Sequence, residues 1–261
     1  MRQLLDLAVQ AARNAGSKIL EHYQHTLDIE RKCDGSPLTA ADKAAHQSIV
    51  QVLQSSGIAI VSEEGNSLHL DAEEYWLVDP LDGTKDFLAG NDEFTVNIAL
   101  LRQGLPLLGV VFAPAIDDLY WGAEGSGAWR VRAGVDERLL PRERLGQVRM
   151  AVSRFHDHPD VEGFANANNV TQRVAIGSAL KYGLLAAGEV DVFPRLVGSS
   201  EWDTAAGQAV LEAAGGQVLD WHTDLRLAYG KARRRNPRLI AFRQPYERDD
   251  FVLKHYPSEL L

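Results

Sequence analysis

Near the N-terminus, apolar residues recur at alternating spacings of three and four: Leu5, Ala8, Ala12, Ala15 and Ile19. That period predicts an amphipathic helix over 3–23. Its stripe is mostly alanine, suited to close approach rather than to burying bulk. Asp34-Gly35-Ser36-Pro37 is a turn cluster. Thr39, followed three residues later by Asp42, predicts a capping-box-like start to a helix over 40–54, ended by Gly57. A short buried strand over 58–61 then runs into Ser62-Glu63-Glu64-Gly65. Tyr75-Trp76-Leu77-Val78 is strand-like and is stopped by Asp79-Pro80. Phe94, Val96, Ile98 and Leu100 alternate with Thr95, Asn97 and Ala99, the pattern of a half-buried strand. Residues 107–112 form its expected hairpin partner around Gly104. Further antiparallel strands are expected at 119–121 and 128–131, with the glycine-rich stretch 122–127 as a hairpin turn.

The second half changes character. Strands at 148–152, 174–176, 190–193, 218–221 and 239–242 are interleaved with helices at 160–166, 178–187 and 203–214. Alternation of this kind predicts an α/β half following an α+β half. The expected boundary lies near 140–147, giving domains over 1–145 and 146–261.

Composition narrows the class. Hydrophobic residues make up 45% of the 261 positions, enough for a sizeable core. No apolar run is long enough to span a membrane, and the N-terminus has neither the apolar stretch nor the small-residue cleavage site of a signal peptide. The single cysteine, Cys33, cannot close an internal disulfide, and a reduced, cytoplasmic compartment is the simplest expectation. The net charge of −9 disfavours a nucleic-acid polymer as partner. One basic run, Lys231-Ala232-Arg233-Arg234-Arg235-Asn236-Pro237-Arg238, is read as a solvated loop, with phosphate contact or peripheral contact with a membrane surface as the alternatives. An acidic enzyme acting on phosphate needs cations in its site, so excess carboxylate makes sense where some of it binds metal.

The segment richest in chemistry is Asp79-Pro80-Leu81-Asp82-Gly83-Thr84. It stands at a strand end, where ligands gather in α/β sheets. Two carboxylates three residues apart across a tight turn face one point. Pro80 fixes φ between them, and Gly83 takes angles that other residues avoid. The amides of Gly83 and Thr84 then open a helix toward Phe87, and helix N-termini bind phosphate. Alone, such a match is ordinarily just a turn. Three features shift the balance. Glu63-Glu64 follow a buried strand, although adjacent loop glutamates are commonly solvated charge. Asp203 opens a helix in Trp202-Asp203-Thr204-Ala205-Ala206-Gly207, where an aspartate ordinarily caps. Asp42 lies beside Thr39, its ordinary role being the capping box. Oxygen-only ligands suit Mg²⁺ rather than zinc. The eight histidines show no H-E-x-x-H spacing, and His156-x-His158 reads as loop surface. Neither a phosphate-binding P-loop nor a G-x-S-x-G elbow is present.

In this order, Ser62-Glu63-Glu64, then Trp76-Leu77-Val78-Asp79-Pro80-Leu81-Asp82-Gly83-Thr84, then Trp202-Asp203-x-Ala205-Ala206-Gly207 resemble the inositol-monophosphatase-like family of lithium-sensitive phosphatases. Within it, Lys85-Asp86-Phe87, the run 93–100, Ile176-Gly177-Ser178-Ala179-Leu180-Lys181 and Val192-Phe193-Pro194-Arg195 look like the bacterial 3′(2′),5′-bisphosphate nucleotidases. Ala179 stands where those often carry a second serine.

The resemblance implies a layered α/β sandwich of the inositol monophosphatase/fructose-1,6-bisphosphatase type, with the site between its halves. It implies that Glu63, Asp79 and the Leu81 carbonyl hold one Mg²⁺, and that Asp79, Asp82 and Asp203 hold a second. A third, weaker ion would lie near Glu63. The substrate would be met by Glu63, Leu81, Asp82, Gly83, Thr84, Ser178, Lys181 and Asp203, with Gly83 and Thr84 on the scissile phosphate. Lys181 or Arg195 would receive the phosphate that is not cleaved, surface solvation being the other role for each. Glu63, and Thr84 aided by Asp42, would orient the attacking water. The implied partner is a small phosphorylated nucleotide. The implied reaction converts 3′-phosphoadenosine 5′-phosphate to AMP and phosphate, a step linked to sulfate assimilation. Two rivals remain open: an inositol-1-phosphatase or sugar bisphosphatase with the same metal site, and a non-catalytic sensor of nucleotide or metal.

Overall fold

The computed structural model describes residues 1–24, 30–31, 37–65, 72–144, 146–155 and 158–253. Helix α1 (Arg2–Leu20) forms where the period of three and four places it, and all five stripe residues are buried. Its alanines let it ride on a sheet at close range: a Cβ on Gly16 would stand 2.5 Å from Phe112 Cε1. Helix α2 (Ala40–Leu53) starts with the expected capping box, Thr39 donating from N and Oγ1 to Asp42 Oδ2 at 2.8 and 2.6 Å. It ends in a short 3-10 turn closed by Gly57 at φ +69°. The turn cluster at 34–36, Cys33 and His156 lie outside the described residues.

A two-residue ladder, β1 (Glu30–Arg31) with β2 (Pro37–Leu38), precedes the main sheet. That sheet has seven strands in sequence order: β3 (Ala59–Ser62), β4 (Glu74–Asp82), β5 (Thr95–Arg102), β6 (Leu105–Ala113), β7 (Asp118–Ala123), β8 (Gly127–Arg132) and β9 (Val135–Leu139). Only β3 and β4 pair in parallel; the rest is antiparallel. Strand β9 was not anticipated, since its outward residues give little apolar signal.

Helix α3 (Thr84–Ala89) leaves the end of β4. The second half contains α4 (Pro159–Ala167), α5 (Leu180–Ala186) and α6 (Ala205–Ala213). Its sheet is formed by β10 (Arg149–Ser153), β11 (Gln172–Ile176), β12 (Val192–Arg195), β14 (Gln217–Asp220) and β16 (Leu239–Phe242), after a small ladder of β13 (Ser199–Ser200) with β15 (Arg235–Asn236) is set aside. The order is β11-β10-β12-β16-β14, parallel on the β10 side and antiparallel around β16.

The buried residues sort into layers. Trp76, Val78, Val96, Ile98 and Leu100 face α1 and α2. Their neighbours on the same strands, Tyr75, Leu77, Ala99 and Leu101, face a second cluster with Leu180, Tyr182, Ala206 and Val210 of α5 and α6. That cluster also takes in Phe193, Leu239 and Ala241 of the second sheet. Met150, Val192, Ile240 and Phe242 turn the other way, toward Phe164 of α4 and Trp221. The result is a five-layer α-β-α-β-α sandwich, as the layered expectation held. Strand β5 is therefore not half-buried: both faces are covered, because α5 and α6 lie where solvent was expected.

Small residues make the central layer possible. A Cβ on Gly109 of β6 would stand 2.3 Å from the Ala206 carbonyl oxygen, and one on Gly122 of β7 would stand 2.7 Å from Val210 Cα. Helix α6 thus touches the sheet backbone to backbone.

The basic run at 231–238 is not simply a solvated loop. Arg234 is buried beneath Tyr75, donating to the Tyr75 hydroxyl at 2.9 Å and to Glu201 at 3.2 Å. Lys231 pairs with the same glutamate, and Arg238 with Asp160. Among the described residues no helix is long and apolar enough to cross a membrane.

Candidate active site

Strand β4 does not stop at Pro80 but carries on to Asp82 through a bulge. Asp79 pairs with Asn97 and Asp82 with Thr95, so three steps on β4 match two on β5. In a regular strand, residues three apart point to opposite faces. The inserted residue cancels that alternation and brings both carboxylates to one face. Proline suits the bulge because it has no N–H for the ladder. Asp79 Oδ1 accepts from the Leu81 amide at 3.1 Å, which pins the kink. Gly83 follows at φ +82° and caps α3, Phe87 N donating to its carbonyl at 2.9 Å.

A cavity of about 390 Å³ opens over this bulge. Glu63, Asp79, Leu81, Asp82, Gly83, Thr84 and Asp203 all line it, as do Ser178, Lys181 and Arg195. Glu63 is held there by its amide, which donates to the Val78 carbonyl at 3.1 Å. Asp82 Oδ2 accepts from Asn97 Nδ2 at 3.2 Å and from the Ala179 amide at 2.6 Å. The amide at 179 is thus used whatever side chain the position carries. Asp203 precedes α6 rather than opening it, since Thr204 is the N-cap; its Oδ2 accepts from the Ser200 amide at 2.9 Å.

Asp42 Oδ2 serves the cap of α2, and the Thr84 hydroxyl donates to the Leu81 carbonyl at a long 3.4 Å. Lys181 is not a surface residue. It is buried, and its Nζ donates to the carbonyls of Ile176 and Ser178 at 2.9 and 2.6 Å. Burial, reinforced by Arg195, brings its ammonium down to about 8 against the pull of Asp82. His158 caps α4, accepting from Asp160 N at 3.2 Å, and takes no part in the cavity.

Burial raises Asp82, with Lys181 opposing. Asp203 is pushed up to about 7 by burial and then by the charges of Asp82 and Glu63. Carboxylates crowded around one cavity suit a counter-cation, and the donor set is all oxygen. It fits a hard divalent cation. Among the described residues, no three His, Cys, Asp or Glu side chains are gathered into a ready-made cage; the acids ring an open cavity instead.

A stability consequence follows from Asp203. Its folded-state value lies above its ordinary 3.8, so the folded protein holds the extra proton between those two values. Stability from this group is present at low pH and is lost as pH rises through about 7. In chelator, Tm of the wild type is expected to fall from pH 5 to pH 7.5 more than that of Asp203→Asn, with added Mg²⁺ recovering more at the higher pH. Identical pH profiles for the two proteins would refute this origin.

The profile of the Inositol monophosphatase family matches residues 1–248. The chain belongs to the inositol monophosphatase family. A 3′(2′),5′-bisphosphate nucleotidase CysQ of Escherichia coli O6:H1 is 43% identical over 225 residues, covering 84% of this chain and 91% of the relative. The crystal structure of CysQ from Bacteroides thetaiotaomicron, a bacterial member of the inositol monophosphatase family, superposes with a TM-score of 0.83 at 34% identity, covering 93% of this chain and 97% of that one. An IMPase of Thermotoga maritima gives 0.76 at 27% identity, covering 93% and 92%.

Within this inositol monophosphatase-family cavity, several lining or supporting residues had not been singled out. Asn97 supports Asp82, and as a polar position in an apolar strand it was open to recognition. Asp86, buried and bound by Asn91 at 2.7 Å, also lines the cavity. A Cβ on Gly177 would stand 2.5 Å from Asp86 Oδ1, so Gly177-Ser178 closes down on α3. The Tyr182 hydroxyl is buried beside Asp82 and Asp203 with no hydrogen-bond partner among the described residues.

Proposed function

We propose that the protein is a Mg²⁺-dependent phosphomonoesterase acting on a 3′(2′),5′-bisphosphate nucleotide, releasing phosphate from 3′-phosphoadenosine 5′-phosphate to leave AMP. What supports this most directly is the bulge that turns Asp79 and Asp82 to one face, opposite Asp203, in a cavity that also holds Lys181 and Arg195. Relatives covered over most of their length and named as 3′(2′),5′-bisphosphate nucleotidases favour the nucleotide over an inositol or sugar phosphate.

Glu63, Asp79, the Leu81 carbonyl, Asp82 and Asp203 would hold two Mg²⁺ ions, with a third near Glu63. When bound, these ions supply charge neutralisation at the phosphoryl and leaving-group oxygens. The amides of Gly83 and Thr84 donate to the scissile phosphate. Glu63 and the Thr84 hydroxyl orient water for in-line attack at phosphorus, the Glu63 carboxylate taking its proton. The leaving oxygen departs on the far side and takes a proton from solvent, and because water itself attacks phosphorus no covalent phosphoenzyme forms. Fixed donors that match the charge building on phosphoryl oxygens are what lower the barrier.

The test is phosphate release with Mg²⁺ from 3′-phosphoadenosine 5′-phosphate, inositol 1-phosphate and fructose 1,6-bisphosphate in parallel. The expected result is a kcat/KM for the nucleotide at least ~10²-fold above the others, suppressed by lithium. Preference for inositol 1-phosphate or the sugar would sink the substrate assignment, and tight nucleotide binding without release would favour a sensor.

A further inference from the structure

Four cationic side chains line the cavity rim and wall besides Lys85: Arg154, Lys181, Arg195 and Arg235. Their commitments differ. Arg154 is engaged by Glu93 through two bonds of 2.9 and 2.7 Å and by the Ala175 carbonyl. Lys181 spends two of its three donors on carbonyls. Arg195 makes one bond, to Ser153 Oγ at 3.0 Å. Arg235 makes one bond, to Ser200 Oγ at 3.1 Å. Neither Arg195 nor Arg235 forms an ion pair with a described residue. A guanidinium carries five N–H donors in a planar fork that matches a phosphate, so each has most of its capacity unspent.

The backbone aims Arg235 at the cavity. Strand β15 pairs antiparallel with β13, Arg235 opposite Ser200 and Asn236 opposite Ser199. Side chains along this segment alternate in, out, in. Arg234 is 4% exposed and tied to Glu201 and Tyr75. Asn236 is 1% exposed and donates to Ser200 O and Thr204 Oγ1, both at 2.8 Å. Arg235 between them is exposed. Glu201 is fully buried and accepts from the amides of Gly230 and Lys231 as well as from Arg234. These anchors fix the ladder only a few residues from Asp203. The guanidinium lies against Gly198, with Arg235 Nη2 3.4 Å from where a Cβ there would stand.

We infer that Arg235 is a specificity-determining residue that receives the phosphate the enzyme does not cleave, selecting substrates with two phosphates over those with one. The inference deepens the proposed function and rests on it. Arg235 stands on the same short ladder that positions Asp203, so its distance from the reacting phosphate is set by two residue pairs of β-structure rather than by a loop.

The experiment compares kcat/KM for 3′-phosphoadenosine 5′-phosphate with that for adenosine 3′-phosphate, in wild type, Arg235→Ala and Arg235→Lys, all with Mg²⁺. In Arg235→Ala the ratio of bisphosphate to monophosphate is expected to fall roughly 10- to 100-fold, mainly through KM for the bisphosphate, the worth of a charge-assisted hydrogen bond. Arg235→Lys should recover part of it, since an ammonium keeps the charge but not the fork. A ratio within twofold of wild type in Arg235→Ala overturns the assignment while leaving the nucleotidase function standing. Wild type that hydrolyses neither nucleotide overturns both, and wild type that hydrolyses both without preferring the bisphosphate overturns the assignment alone.

Discussion

Asp82→Asn is expected to lower kcat for phosphate release by at least ~10²- to 10³-fold while leaving the protein folded. The geometry isolates charge from shape. Both hydrogen bonds to Asp82, from Asn97 Nδ2 and from the Ala179 amide, end on the same oxygen, Oδ2. An asparagine can place its carbonyl oxygen there and keep both, turning its amide nitrogen to the position of Oδ1. What disappears is one partly buried negative charge that repels Asp203 and attracts Lys181. The repulsion of Asp203 is relieved while the attraction of Lys181 is lost, so Tm in chelator should change little. The gain from added Mg²⁺ should shrink. Near-normal turnover in this variant would end the two-metal proposal outright, whatever the substrate. A large drop in Tm would instead mean that the carboxylate has a structural role that its hydrogen bonds do not disclose.

The largest expected loss of stability lies where α6 packs on the central sheet. Gly109→Val is expected to cost about 3 kcal/mol or more and to lower Tm on the order of 10 °C. The first added carbon would stand 2.3 Å from the Ala206 carbonyl oxygen and 2.8 Å from Ala209 Cβ. The obstacle is helix backbone, so no rotamer change relieves it. Helix α6 must lift or the sheet must bend, and Asp203 sits immediately before that helix. The variant that remains folded should therefore also turn over more slowly than its folded fraction allows. Thermal unfolding by circular dichroism, paired with activity normalised to folded protein, checks both parts. A Tm within about 1 °C of wild type would show that the close packing of α6 on β6 is more pliable than these distances allow.

Much of this arrangement was open to reading in the chain. The stripe of α1, the Thr39–Asp42 cap and the alternation along β5 are local patterns, and local patterns survive folding. The acidic residues of the cavity were recognisable because three separate motifs carried them in a fixed order. Three features were hidden for physical reasons. Pro80 looked like the end of a strand, because a bulge adds one residue without any compositional mark. The polar face of β5 looked solvated, because only the tertiary arrangement of α5 and α6 shows that it is covered. Arg234 looked like surface charge, because its neutralising partner, Glu201, lies 33 residues away and is itself fully buried. Local composition carries no information about such a pair. Asp203 was displaced by a smaller margin: Thr204 takes the cap, which leaves the aspartate just outside the helix and its carboxylate turned to the Ser200 amide.

The in, out, in alternation at Arg234, Arg235 and Asn236 bears on how such a scaffold diversifies. The residues proposed to hold metal and phosphate are locked into a bulge and helix ends, where exchange is punished by the fold itself. Arg235, to which we assign the choice of substrate, is exposed on a two-residue ladder at the cavity, bonded to Ser200 Oγ. Inheritance can therefore rewrite the guest list without touching the machinery, one exposed codon at a time.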